Sequence, residues 1–500
     1  MAQSVLTQAD PLDEGLGKDQ FLVEKPRIPL PPMLPPLLNR ADELARLRGH
    51  WERASEGSAR LVVVYGRRQV GKTFLLRHLR EQLPVEAHRL YFTALQAGSQ
   101  RQQLDAFRAV LANGIGDRSW VPEGFGSWSA ALAFVADTAR RTPTLLVLDE
   151  VPCLIEADRT FASALQQAWD GVRLEADPPR LLVVLSGSAV ATMTGLLAPG
   201  RGALFGRPDD ELQLQPFTLA AARRHVLADV SADAALEVYA ATGGYPRHLL
   251  AWDQSVSTTD NLLALYGSPG GLLLRNGRQL LIDLPEEGGH RAVLAAIGTG
   301  EHRRSAIGAR VGQRIERPLE LLERSLLVRH ERPVGAPVSS AGRFVLADTF
   351  LACWYALCHG DEGDIEAGLG AEIIQRRQGR WTRHLADVFE AQARQHALRL
   401  QRQGLLPKGA TVGRWWTTSG QPAEIDVLGL QGRRTVLIGE VKWQAQPLDR
   451  RLFASLQAKR AAAPDPVPDV VLATWSRGGA SRELTDLGVR SWTVDDIVAS

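Results

Sequence analysis

Cysteine, lysine and long apolar runs are scarce in this chain. Three cysteines in 500 residues (Cys153, Cys353, Cys358) cannot build a disulfide framework or, unaided, a structural zinc site, and they suit a reducing compartment. No apolar run approaches the ~18 residues of a membrane helix. Met1 to Asp19 is polar and acidic where a secretory leader is apolar. Collagenous, secreted and membrane-spanning classes are thereby excluded, and a cytoplasmic protein without a membrane partner is expected. Only six of the 58 basic residues are lysine (Lys18, Lys25, Lys72, Lys408, Lys442 and Lys459). Where lysine persists among so many arginines, a compact ammonium is expected to be needed in place of a guanidinium fork.

What is present is ordinary for a globular chain: 45% hydrophobic residues, 23% charged, net charge +2. At about 150 residues per domain the length predicts about three domains. Residues 1–38 form a tail whose proline-rich stretch, Pro26 to Pro36, is extended, either a linker or a docking segment for a protein partner. Helical periodicity starts at Asn39, a candidate N-cap. Apolar runs Leu61–Tyr65, Leu145–Leu148 and Leu181–Leu185, separated by helical segments, predict a parallel sheet covered on both faces over 39–215. Residues 216–280 are helical, interrupted at Thr242-Gly243-Gly244-Tyr245-Pro246. Three short helical segments and the strand Phe344–Leu346 make 281–365 resemble a winged helix-turn-helix. Its Arg303, Arg304, Arg310, Arg314 and Arg317 are candidates for DNA phosphates. Residues 366–500 carry a long helix (Trp381 to Arg402), strands at Glu424–Leu428 and Val436–Val441, and further α/β alternation.

Gly66-Arg67-Arg68-Gln69-Val70-Gly71-Lys72-Thr73 matches G-x-x-x-x-G-K-[ST], with a strand before it and a helix after. The glycines let the backbone curl so that its N–H groups face phosphate oxygens. The helix dipole adds positive potential, Lys72 reaches the β- and γ-phosphates, and the Thr73 hydroxyl binds Mg²⁺. Asp149-Glu150 ends a buried strand, suited to hold the magnesium shell (Asp149) and to polarise the attacking water (Glu150). Ser186 and Ser188 end the next strand, either as γ-phosphate sensors or as a plain turn.

Taken in order, NRADELARL, VVVYGRRQVGKTFLL, LLVLDE, LLVVLSGS, LFGR and TGGYPRHL, from about residue 39 to 250, resemble the archaeal-type P-loop ATPases of the AAA+/STAND class. The resemblance implies ATP as ligand. It places Asn39 and Arg40 at the nucleotide site, and Gly244, Tyr245 and Pro246 against the base from a helical lid. It makes Arg207 a γ-phosphate arginine acting in cis or from a neighbouring subunit of a homo-oligomer; the alternative is a surface arginine at a helix end.

Asp426 and Glu440 lie on two strands that converge if they pair as a hairpin, and Glu440 and Lys442 share one strand face. Two carboxylates and the Val441 carbonyl make an oxygen-rich Mg²⁺ site, with Lys442 set to stabilise charge at a phosphate. The D…E-x-K pattern resembles the PD-(D/E)XK nuclease superfamily, and Glu390 matches the extra helix acid of many members. The usual proline before Asp426 is absent. Nearby Trp381, Trp415, Trp416 and Trp443 are core residues or base-stacking platforms. The expected fold is α/β: a P-loop parallel sheet with a helical lid, a winged helix and a PD-(D/E)XK-like α/β domain. The expected function is an ATPase coupled to a Mg²⁺-dependent nuclease-like domain acting on DNA; the alternative is a STAND-like switch with an inert C-terminal fold.

Overall fold

A computed structural model describes residues 35–500 except 117, 283, 285–287, 338, 418–421 and 500. The proline-rich stretch and its expected partner thus fall almost wholly outside the described residues. Leu37–Ser500 form one compact unit, distinct from Met1–Pro36.

Five parallel strands build the first sheet: β1 (Arg60–Tyr65), β2 (His88–Thr93), β3 (Thr144–Asp149), β4 (Leu181–Gly187) and β5 (Asp210–Gln213), in the spatial order β2-β3-β4-β1-β5. In β1, Leu61 and Val63 enter one helical layer while Val62 and Val64 enter the other. Burial on both faces is why the run is apolar throughout rather than alternating. Each fully buried valine contributes about 1.5–3 kcal/mol. β2 and β5 were not foreseen. Both are edge strands, HRLYFT and DELQ, whose partly exposed faces accept polar residues and so break the apolar run. Inserting β4 between β1 and β3 brings three strand ends to one rim: the glycine loop after β1, Asp149-Glu150 after β3, and Ser186 to Ser188 at the end of β4.

The first helix is Ala41–Ser55, and Asn39 does not cap it. Asn39 lies outside at φ +49°. Arg40 holds the cap position without a side-chain cap bond, because a guanidinium has no acceptor to offer; it donates instead to the Val70 and Gln215 carbonyls. Five helices follow β5, from Leu219–His225 to Leu272–Ile282. Helices His290–Gly298, Arg304–Val311 and Glu316–Arg324 then precede an antiparallel hairpin, β6 (Val328–Glu331) and β7 (Arg343–Leu346). Asp348 caps the next helix, Thr349–Leu357, accepting from Leu351 N at 2.6 Å.

The last segment runs helix Gln378–Arg399, β8 (Thr411–Trp416), β9 (Glu424–Gln431), β10 (Arg434–Lys442), helix Arg451–Ala462, β11 (Pro466–Ser476) and β12 (Arg490–Trp492). The sheet order is β12-β11-β10-β9-β8, with β8, β9 and β10 antiparallel and β10, β11 and β12 parallel. A two-residue turn, Gly432-Arg433, joins β9 to β10, and Gly432 takes φ +63°, the sign tight hairpins require. The long helix starts three residues earlier than its apolar pattern suggested and stops before Arg402.

Candidate functional site

The loop after β1 packs so closely that a Cβ at Gly66 would lie 2.3 Å from the Leu214 carbonyl oxygen, so no side chain fits there. Lys72 opens helix Lys72–Gln82 and folds back into the curl. Its ammonium donates to the Gly66 and Arg67 carbonyls at 2.8 and 3.0 Å. Burial lowers its pKa to about 8, against the pull of Glu150 and Asp149. The Thr73 hydroxyl donates to Asp149 Oδ2 at 3.1 Å, and the Tyr91 hydroxyl, from β2, donates to the same oxygen at 2.7 Å. Glu150 stands at φ +56°, a left-handed conformation that a glutamate adopts only when its surroundings impose it. Its Oε2 accepts from Ser188 N at 3.2 Å and Ser188 Oγ at 2.8 Å. Ser188, not the fully buried Ser186, therefore reaches the acid; Ser186 Oγ has no hydrogen-bond partner among the described residues.

The variable residues of the loop turn away from the curl. Arg67 forms a buried ion pair with Asp348, whose Oδ2 also accepts from the Tyr245 hydroxyl at 2.6 Å. Gln69 Oε1 lies 2.7 Å from His248 Nε2 and accepts from Asn276 Nδ2 at 3.0 Å. Burial lowers the His248 pKa to about 4, keeping it neutral. Val70 lends its carbonyl to Arg40, and Pro246 opens the short helix after Tyr245. Arg68 lines a small pocket with Gln69, Tyr245 and His248. Arg207 stands apart in its pairing: it forks onto Asp170, at 2.7 and 2.8 Å.

In the second sheet Gly439 pairs with Val427, so the next residues along the two strands are Glu440 and Asp426. Asp426 Oδ2 accepts from Val441 N at 2.9 Å. Burial raises the Asp426 pKa, opposed by Lys459. Glu440 Oε1 pairs with Lys442 Nζ at 2.7 Å, and its Oε2 with Lys459 from helix Arg451–Ala462. Burial works against its ionisation, but the two ammoniums outweigh that and hold its pKa below the ordinary value. Glu390 pairs with Arg414 and, at 3.5 Å, with Arg394. Its charge is felt at both Asp426 and Lys442. Trp381 and Trp416 are core, and Trp443 packs edge-on to Phe389 at 5.2 Å. Among the described residues no group of three or more His, Cys, Asp or Glu side chains is arranged to hold a metal. Asp426 and Glu440 are two hard oxygen donors, and Mg²⁺ asks a protein for one or two such carboxylates.

Residues 37–251 match a family model described as an ATPase domain predominantly from Archaea. Residues 354–457 match one described as "Archaea bacterial proteins of unknown function". The chain is 23% identical over 421 residues to the uncharacterized protein MJECL04 of Methanocaldococcus jannaschii, covering 81% of this chain and 87% of that protein. Among solved structures it is similar to the Walker-type ATPase paby2304 of Pyrococcus abyssi (19% identity, 64% of this chain, 96% of that chain, TM-score 0.46). It is also similar to the ORC2 protein of Aeropyrum pernix in its ADPNP-ADP complexes (15% identity, 69% and 96%, TM-score 0.43).

Four participants are not foreseeable as site residues from their local sequence pattern alone: Tyr91, Asn276, Asp348 and Lys459. Lys459 carried a signal, being one of six lysines in an arginine-rich chain. Tyr91, Asn276 and Asp348 carried none, since each is recruited across a long sequence separation.

Proposed function

We propose that the chain is an ATPase whose nucleotide state controls a Mg²⁺-dependent, PD-(D/E)XK-like nuclease domain acting on DNA. In this reading Lys72 and the loop amides bind the β- and γ-phosphates, Glu150 takes a proton from the attacking water, and Ser188 aims Glu150. Residues 281–365 act as a winged helix between the two sites. Arg207 meets a γ-phosphate only after leaving Asp170. Mg²⁺ would be held by Thr73 and Asp149 in the first site and by Asp426 and Glu440 in the second, where it offsets charge on phosphate oxygens. Lys442 and Lys459 then turn from Glu440 toward a phosphodiester.

The coupling rests on one observation: Arg67, inside the phosphate loop, is ion-paired with Asp348, the cap of the helix beyond the hairpin. A phosphate that re-forms the loop must act on that cap, and through it on the second half of the chain. The helix–three strands–helix–strand order of residues 378–476 and the convergence of Asp426, Glu440 and Lys442 support the nuclease reading. The matched ATPase-domain model supports hydrolysis.

The test is cleavage of linear and circular DNA by the purified chain, with and without ATP and Mg²⁺. Wild-type protein should cleave only with Mg²⁺, at a rate that ATP changes, and Asp426→Ala should abolish cleavage. ATP turnover without cleavage of any DNA or RNA would replace this reading with a nucleotide-controlled switch.

A further inference from the structure

A cavity of about 580 Å³ lies between the hairpin and helix Gln378–Arg399. Five arginines line it (Arg329, Arg380, Arg383, Arg394 and Arg414) against two acids, Glu331 and Asp387. Arg380, Arg383, Asp387 and Arg394 recur at helical spacing, so one face of the helix is given to the cavity. Arg380 and Arg383 are exposed and in no salt bridge among the described residues. Unpaired guanidiniums concentrated in a concave site raise the local concentration of anions. At one end the cavity meets the second site. Arg394 donates to the Asp426 carbonyl at 3.1 Å, and Arg394 and Arg414 both pair with Glu390.

On the other surface expected to meet nucleic acid, Arg303, Arg304, Arg310, Arg314 and Arg317 are exposed, but one of its helices is tied down at its end. The end of helix Glu316–Arg324 packs on helix Val190–Leu197, and Arg324 donates to the Ala191 carbonyl at 3.1 Å. That helix is therefore anchored at its C-terminal end to the first sheet's layer.

We propose that this cavity binds the phosphodiester backbone of a single nucleic-acid strand and leads it to Asp426, Glu440 and Lys442. Its volume of about 580 Å³ is that of a small-ligand site, which holds a short stretch of one strand and not a duplex. The lining is rich in guanidinium and poor in aromatic rings, which selects backbone over base and makes binding sequence-tolerant and salt-sensitive. The delivery step rests on the nuclease reading above; the binding step does not.

The experiment is fluorescence anisotropy of a labelled single-stranded oligonucleotide with the full chain, at several salt concentrations. The variants are Arg380→Glu with Arg383→Glu, and Arg482→Glu, which changes charge on a helix outside the cavity. Thermal unfolding checks that each variant folds, and Arg380→Gln with Arg383→Gln provides a milder pair. The cavity pair should lose at least tenfold in affinity, and log affinity against log salt should become shallower by about 0.7 for each phosphate no longer engaged. Arg482→Glu should lose less than threefold. Equal losses from both changes, or larger losses from Arg314→Glu with Arg317→Glu, would overturn the cavity assignment. Equal, variant-sensitive affinity for a blunt duplex would overturn the single-strand assignment. Asp426→Ala separates the two readings: if wild type binds through the cavity yet never cleaves, the cavity stands and the nuclease reading falls.

Discussion

Both candidate sites hold lysines, Lys72 buried, Lys459 partly buried and Lys442 exposed, but they settle those charges in opposite ways. At the first, Lys72 is surrounded mainly by neutral carbonyls, and burial brings its pKa down to about 8. At the second, Lys442 and Lys459 share the carboxylate of Glu440, which raises the pKa of Lys442 and lowers that of Glu440. The first site therefore keeps an under-compensated cation ready for an anion from outside. The second is internally neutralised, and on the proposed nuclease reading it would take a phosphate only once something else compensates Glu440. A cradle of backbone and a side-chain ion pair can thus present the same ammonium with very different readiness.

The contrast is sharpest under removal of each lysine. Lys72→Met should cut ATP turnover by about 10²–10³-fold, the scale of losing one pre-organised charge donor. It should also raise the thermal midpoint of the nucleotide-free protein, because a desolvated charge has gone. A lower midpoint would show that Lys72 is compensated after all. Lys459→Met should do the reverse to the fold, costing about 1–3 kcal/mol by leaving buried Glu440 short of a partner. Glu440→Gln in the same chain should recover most of that loss in denaturant titrations. If Lys459→Met costs nothing, the ion pair is not what holds the second site.

The smallest effect is with pH. The Lys72 ammonium titrates near 8 in the fold and near 10.5 when unfolded, so between those values the unfolded chain binds more protons and stability rises with pH. Nucleotide needs the charged form, so ATP affinity should fall about tenfold per pH unit above 8. Calorimetry across pH 7 to 9.5 checks this. A flat profile would remove the distinction between the two lysine sites.

The glycine loop, the three central strands and the hairpin bearing Asp426 and Glu440 were legible because each is encoded locally. An apolar run buried on both faces reads the same wherever the chain places it, and Gly432-Arg433 sets its own register. Arg207 illustrates the opposite. LFGR could be recognised as a segment, yet its fork onto Asp170 depends on where helix Phe161–Arg173 packs. Ser186 and Ser188 were indistinguishable as letters. Ser186 lies inside β4 and is buried, whereas Ser188 lies just past the strand's end at Gly187, where the chain turns its hydroxyl toward Glu150.

The amino-acid order alone determined backbone conformation over short spans: where glycine must curl, where a strand is sealed from water, which two acids and which lysine share a strand pair. Only the folded chain decided partners. Asp348 sits 281 residues from Arg67, and Lys459 meets Glu440 of β10 from helix Arg451–Ala462. Charges this far apart in sequence choose counter-charges by distance in space, after strand order and helix docking have fixed what is near, whereas the Glu440–Lys442 pair is set within one strand.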